Sequence, residues 1–296
     1  MNMKKKIIFR GTATALITPF SDGKIDYASL EKLIERQIDA KIPALVVGGT
    51  TGEAATLSDS ERYELYRFTK KAVDGRSKLI FGTGTNDTRV AIRHTSFAEE
   101  LGCDGALVVT PYYNKGTDGG LIGHYLAIAN STELPIIVYN VPSRTGVNLS
   151  FSQLKQLSQK ENIVAIKEAH DSQDRLVDLS LLTDRLALYT GQDSGIYSCL
   201  SLGGSGVISV ISNFCPRMTE KICQSYFKGD FKTALDTQKL LLPFIKAVFA
   251  ETNPTPIKYA LSKIGLCENE LRLPLSPASK FCEKLIDEII SSGKLE

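Results

Sequence analysis

Ile163-Val164-Ala165-Ile166-Lys167-Glu168-Ala169 is an apolar run of strand length, rich in β-branched residues, that carries one lysine near its C-terminal end. Alternation along a strand puts Ile163, Ala165, Lys167 and Ala169 on one face and Val164, Ile166 and Glu168 on the other. If the lysine's face is interior, desolvation disfavours the ammonium and makes the neutral amine available as a nucleophile toward carbonyls. If the strand lies at an exposed edge, the lysine merely blunts that edge. The surrounding chain decides between the two.

Outward from this stretch, a pattern repeats from residue 11 to about 212: a short apolar run, a Gly, Pro, Thr or Asn stop, then an amphipathic segment. Strands are expected at 12–18, 44–48, 78–82, 105–110, 135–140, 163–167, 186–189 and 206–210. Helical spacing fills the gaps at 26–40, 58–73, 88–101, 120–130, 150–159, 172–182 and 195–202. Ser58 and Glu61 have capping-box spacing, Ser150 suits an N-cap and Gly102 a helix stop. Eight strands with a helix in every gap predict a closed parallel (β/α)8 barrel, a TIM barrel. The competing doubly wound sheet normally shows GxGxxG after its first strand, where this chain has Ser21-Asp22-Gly23-Lys24. After Pro216 only helical segments follow, near 216–228, 230–250, 254–264 and 277–292. The expected division is a catalytic barrel over 1–228 and a helical appendage over 229–296 packed on it.

Composition narrows the function. The 296 residues are 43% hydrophobic and 23% charged, ordinary for a soluble globular protein. Thirty-five basic against 33 acidic side chains leave a formal charge of +2, too balanced for a dedicated nucleic-acid binder. The basic run Lys4-Lys5-Lys6 is followed by only Ile7-Ile8-Phe9, too short for a signal-peptide core, and no stretch approaches a membrane span. A cytoplasmic location is expected. Cys103, Cys199, Cys215, Cys223, Cys267 and Cys282 show no CxxC spacing, so they read as core thiols rather than metal ligands or disulfide partners. His94, His124 and His170 lack an HExxH pattern and read as helix-surface or loop residues. Neither a metal nor a cofactor is expected.

In such a barrel, chemistry belongs to the C-terminal strand ends and the loops after them. Those positions hold Gly48-Gly49-Thr50-Thr51-Gly52-Glu53, Thr110-Pro111-Tyr112-Tyr113-Asn114, Tyr139-Asn140-Val141-Pro142-Ser143-Arg144-Thr145-Gly146, Lys167 and Gly206-Val207-Ile208-Ser209-Val210. The set suits carbonyl chemistry through an imine. A Thr-Thr-Gly turn offers N–H and hydroxyl donors to a carboxylate. A tyrosine bonded to a threonine can shuttle protons, and Arg144 can grip a second carboxylate. Each piece also has a plain structural account: a glycine turn, a packed tyrosine pair, barrel filling at Tyr139, a solvated loop arginine. Their joint placement at one end favours the chemical reading.

These motifs, with Ile166-Lys167-Glu168 and the C-terminal Asn253-Pro254-Thr255-Pro256-Ile257-Lys258 and Leu271-Arg272-Leu273-Pro274, resemble the dihydrodipicolinate synthase family. That family belongs to the class I pyruvate-dependent aldolases, which also include N-acetylneuraminate lyase. The resemblance implies a Schiff base between Lys167 and pyruvate. It implies a proton relay of Tyr139, Thr50 and Tyr113, with Tyr113 supplied by a neighbouring subunit. It further implies that Thr51 and the Ile208 backbone hold pyruvate and that Arg144 receives the carboxylate of L-aspartate 4-semialdehyde. The implied product is 4-hydroxy-tetrahydrodipicolinate, on the route to lysine and diaminopimelate, and the implied assembly is a homotetramer, a dimer of dimers. The alternatives are an N-acetylneuraminate or 2-keto-3-deoxy-sugar-acid aldolase, which typically lack the Arg-Thr-Gly, and a non-catalytic keto-acid sensor. Lysine-sensitive members resemble this chain at Asn86 and Tyr112 but commonly carry histidine and glutamate where Arg62 and Val90 stand. Loss of an acceptor for the effector's ammonium predicts poor inhibition by L-lysine, which strong inhibition at sub-millimolar lysine in a steady-state assay would refute.

Overall fold

The computed structural model describes residues 6–295, and Lys4 and Lys5 of the basic run lie outside them. Among the described residues the strands begin with β1 (Gly11–Ala15), β2 (Phe20–Ser21), β3 (Lys24–Ile25), β4 (Ala44–Val47) and β5 (Lys78–Gly82). They continue as β6 (Gly105–Val109), β7 (Ile136–Asn140), β8 (Ile163–Glu168), β9 (Ala187–Thr190) and β10 (Gly206–Ser209). The helices are α1 (Tyr27–Asp39), α2 (Asp59–Val73), α3 (Thr88–Glu100), α4 (Asp118–Asn130), α5 (Pro142–Thr145) and α6 (Phe151–Leu157). After them come α7 (Gln173–Ser180), α8 (Ile196–Ser201), α9 (Pro216–Phe227), α10 (Phe231–Val248), α11 (Thr255–Lys263) and α12 (Lys280–Ser291).

The expected closed barrel is present, in the strand order β1-β10-β9-β8-β7-β6-β5-β4. The sequence reading missed β2 and β3, an antiparallel pair with Phe20 opposite Ile25. Its signal was the Asp-Gly at the tip. Asp22 and Gly23 both take left-handed backbone, at φ 51° and 75°, as a two-residue hairpin turn requires.

The chain folds as two units, one of residues up to Arg10 with Lys78–Ile208, the other of Gly11–Ser77 and Ser209 onward. In the first, β5 to β9 run parallel, and all six residues of β8 are buried, as in a sheet covered on both faces. Ser150 caps α6 as expected: its hydroxyl accepts the Gln153 N–H at 3.2 Å, and Gln153 Oε1 accepts the Ser150 N–H at 2.7 Å. His94 and His124 correct the sequence reading, because both sit on buried helix faces. His124 Nδ1 lies 2.9 Å from the Thr88 hydroxyl, and burial holds its pKa down at about 4.

In the second unit, β1 pairs with β4, Ala13 opposite Ala44. Buried polar side chains finish what the strands leave open. The Thr12 N–H donates to Glu220 at 2.7 Å, Asn213 donates to the Ala15 carbonyl at 2.8 Å, and Thr14 donates to Gln37 at 2.7 Å. The Ser58–Glu61 capping box on α2 is formed, with bonds of 3.3 and 2.9 Å. All six cysteines are buried and unbridged. Among the described residues no helix is long and apolar enough to cross a membrane.

Candidate active site

β7 and β8 are in parallel register, with Tyr139 opposite Lys167 and Asn140 opposite Glu168. Alternation therefore puts Tyr139 and Lys167 on one side of the ladder and Asn140 and Glu168 on the other. Lys167 is 6% exposed, so the solvent-edge reading of this lysine fails. Its Nζ lies 4.3 Å from the centroid of the Tyr139 ring, which is equally buried. An amine over a phenol at that range is held by the ring's negative face and has a proton-bearing neighbour. Gly191, just after β9, makes room for the lysine stem. A Cβ there would stand 2.9 Å from Lys167 Cε and 2.8 Å from Ala169 Cβ, so a larger residue would push the lysine aside.

On the opposite side of the ladder, Glu168 is fully buried. Its Oε1 accepts from Asn140 Nδ2 at 2.8 Å and from the His170 N–H at 3.0 Å, and its Oε2 accepts from Arg175 Nε at 3.1 Å. Arg175 also donates from Nη2 to the Leu149 carbonyl at 2.6 Å, while Asn140 Oδ1 accepts the Leu149 N–H at 3.1 Å. Asn140 Nδ2 reaches Asn148 Oδ1 as well, at 2.8 Å. A buried carboxylate is costly unless paired and hydrogen-bonded, and this one is both.

The remaining candidates of the first unit occupy β10 and loops. Ile208 is fully buried in β10. Arg144 is exposed on α5, a single turn begun by Pro142 and ended by left-handed Gly146 at φ 68°. The sequence reading took that turn for a loop. Tyr113 is 91% exposed at φ 69°, backbone that a bulky residue rarely adopts. Asn86 donates to the carbonyl of the preceding Tyr112 at 3.4 Å, and Val90 is half-buried on α3.

The Thr50-Thr51 turn belongs to the second unit. Gly48 opens it at φ 66°, where a Cβ would strike the Tyr66 ring at 2.8 Å. The Gly52 and Glu53 N–H groups then donate back to the Gly49 and Thr50 carbonyls, both at 3.1 Å. Thr50 is half-buried and Thr51 is 3% exposed. Asn253 Nδ2 donates to Thr51 Oγ1 at 3.0 Å. Glu53, left-handed at φ 52°, accepts the Arg272 N–H at 3.0 Å and forms a buried ion pair with Lys258. Burial pulls the Lys258 pKa down and the Glu53 charge opposes it. Lys258 also donates to the Glu270 carbonyl at 2.8 Å and lies over the Phe20 ring. Arg62, also of this unit, is buried and donates to the Ala54 carbonyl at 2.7 Å.

Sequence reasoning assigned no role to Asn140, Glu168, Arg175, Asn253 or Lys258. For Glu168 the signal was a charge on the covered face of an apolar strand. For Asn253 and Lys258 it was a polar residue at each end of an otherwise Pro- and Thr-rich motif. Among the described residues no group of three or more His, Cys, Asp or Glu side chains is gathered as metal ligands.

A parallel barrel with a buried strand lysine beside a tyrosine has the groups that imine chemistry on a carbonyl substrate requires. The dihydrodipicolinate synthetase family model matches residues 8–292, and the chain belongs to that family. It is 45% identical over 284 residues to a 4-hydroxy-tetrahydrodipicolinate synthase of Alkaliphilus oremlandii, covering 95% of this chain and 98% of that one. The crystal structure of a dihydrodipicolinate synthase from Thermotoga maritima superposes with a TM-score of 0.95 at 42% identity, covering 98% and 100% of the two chains. A structure described as the first monomeric dihydrodipicolinate synthase variant also scores 0.95, at 41% identity and 98% of both chains.

Proposed function

We propose that the chain condenses pyruvate with L-aspartate 4-semialdehyde to give 4-hydroxy-tetrahydrodipicolinate, in lysine and diaminopimelate synthesis. The observation that carries this reading is the buried Lys167 amine over the Tyr139 ring on a barrel strand. The Lys167 amine attacks the keto carbon of pyruvate, and the carbinolamine loses water to form the imine. A proton leaves the methyl carbon, and the resulting enamine attacks the aldehyde carbon, whose oxygen takes up a proton. The amino group of the adduct then attacks the imine carbon, closes the ring and releases Lys167.

Tyr139, Thr50 and Tyr113 pass the protons, with Tyr113 supplied by a second copy of the chain. The exposure of Tyr113 and its unfavourable backbone support that role. Thr51 and the Ile208 backbone hold the pyruvate carboxylate. The exposed Arg144 meets the carboxylate of the incoming aldehyde, which favours a small acidic aldehyde over a sugar. The working form is a cytoplasmic homotetramer in which residues 229–296 form an appendage to a catalytic barrel over 1–228.

Borohydride reduction in the presence of pyruvate is expected to leave one mass adduct on Lys167, and Lys167→Ala to abolish it. Turnover with aspartate semialdehyde from a panel of aldehydes completes the test. A wild-type chain that forms no adduct sinks the imine mechanism. Turnover with N-acetylmannosamine instead identifies a sialic-acid lyase, and an adduct without product from any aldehyde identifies a sensor.

A further inference from the structure

The Glu168 cluster lies across the ladder from the amine, and the proposed chemistry uses none of it. We infer that Glu168 is a positioning residue that sets the placement of Lys167 against Tyr139 and anchors the end of the Arg144 loop. This inference rests on the imine reading of Lys167.

Three observations carry it. First, the bond from Asn140 to Glu168 joins the residue after Tyr139 to the residue after Lys167, at opposed register positions. A hydrogen bond on the far side of two adjacent strands fixes how their near-side neighbours meet, because each side chain shares a backbone with the one beside it. Second, the cluster reaches both backbone groups of Leu149, accepting its N–H at Asn140 and donating to its carbonyl from Arg175. Leu149 lies a few residues beyond the turn that carries Arg144, so the same cluster holds the distal end of that loop. Third, a fully buried carboxylate is a poor means of gaining stability alone, since apolar residues of similar volume fill such sites at equal or lower free energy. What the carboxylate adds is direction: one oxygen turned to Asn140 and the His170 N–H, the other to Arg175. In an imine reaction a misplacement of about 1 Å costs on the order of a hundredfold in rate.

The test uses the full-length chain and two variants, Glu168→Gln and Arg175→Lys, assayed well below their melting temperatures. Glu168→Gln turns one acceptor into a donor facing other donors. It is expected to lower kcat about ten- to a hundredfold while KM for pyruvate stays within about threefold of wild type. Borohydride-trapped imine is expected to form more slowly by the same factor. Arg175→Lys keeps the charge but loses the fork that spans Glu168 and Leu149, and is expected to show a smaller loss of the same pattern. A lowered melting temperature with wild-type kcat and trapping rate in the folded variants overturns the inference, because that is what a merely structural role predicts. If Glu168→Gln does not fold, Arg175→Lys decides by the same readouts. The wild-type arm is separate: no adduct there overturns the imine reading, and this inference with it.

Discussion

Glu168 and Glu53 are both buried carboxylates close behind candidate reactive residues, and they are held in opposite ways. Glu168 is served by Asn140, the His170 N–H and Arg175, all from two successive strands and the loop and helix that follow the second. Glu53 is served by Lys258 and by the N–H of Arg272, the latter 219 positions along the chain. The lysine is thus braced by groups close to it in sequence, while the threonine turn is braced by groups from the last third of the chain. The helices beyond residue 229 are therefore part of what supports the Thr50-Thr51 turn.

The sharpest way to break that contrast is Lys258→Met. Removing one member of a fully buried pair leaves the Glu53 charge uncompensated, at an expected cost of about 3–5 kcal/mol in urea unfolding. A loss below about 1 kcal/mol would mean that the pair does not hold the turn. A smaller effect is expected from Asn253→Ala. Because Asn253 donates to the Thr51 oxygen, the Thr51 hydroxyl proton is left to donate elsewhere, to a substrate carboxylate in the proposed function. Its loss is expected to raise KM for pyruvate by about three- to tenfold, the worth of one hydrogen bond, with kcat little changed. An unaltered KM would detach the C-terminal segment from substrate binding.

The smallest effect belongs to Glu61 and Arg272, a half-buried pair at 2.5 Å beside the same turn. The hydrogen bond from Arg272, with help from Ser58, pulls Glu61 from 4.5 to about 2. Since the folded value lies below the unfolded one, the pair stabilises above about pH 4.5, and that share disappears as pH falls toward about 2. Arg272→Ala should flatten the acid limb of stability in that window by under about 1 kcal/mol. Denaturant midpoints at about pH 5 and about pH 3 read this directly, and an unchanged difference between them would show the pair to be inert.

Where neighbours in sequence are neighbours in space, residues alone were informative. The Ser58–Glu61 and Ser150 caps form within one turn of helix and were legible. Seven of the eight barrel strands lie within one residue of their expected bounds, because periodicity and stop residues are local signals, whereas β1 ends at Ala15, three residues short of the expected 12–18. The β2–β3 pair was passed over because two-residue strands have no period to detect. His94 and His124 were misjudged as surface residues because a helix face is hidden only by what packs on it. Lys258 is fully buried although its composition-based expectation is solvent, and nothing near it in sequence announces Glu53.

By itself the sequence determined the alternation of strand and helix, the barrel that alternation closes into, and the type of chemistry a strand lysine near tyrosine, threonine and arginine allows. Tertiary structure alone decided that Lys167 is shielded, that Gly191 yields it space, that Glu168 stands in a web of donors, and that Lys258 meets Glu53. The reason is physical: hydrophobic period and capping act over a few residues, whereas burial and the pairing of charges depend on which distant segments exclude water from the same place.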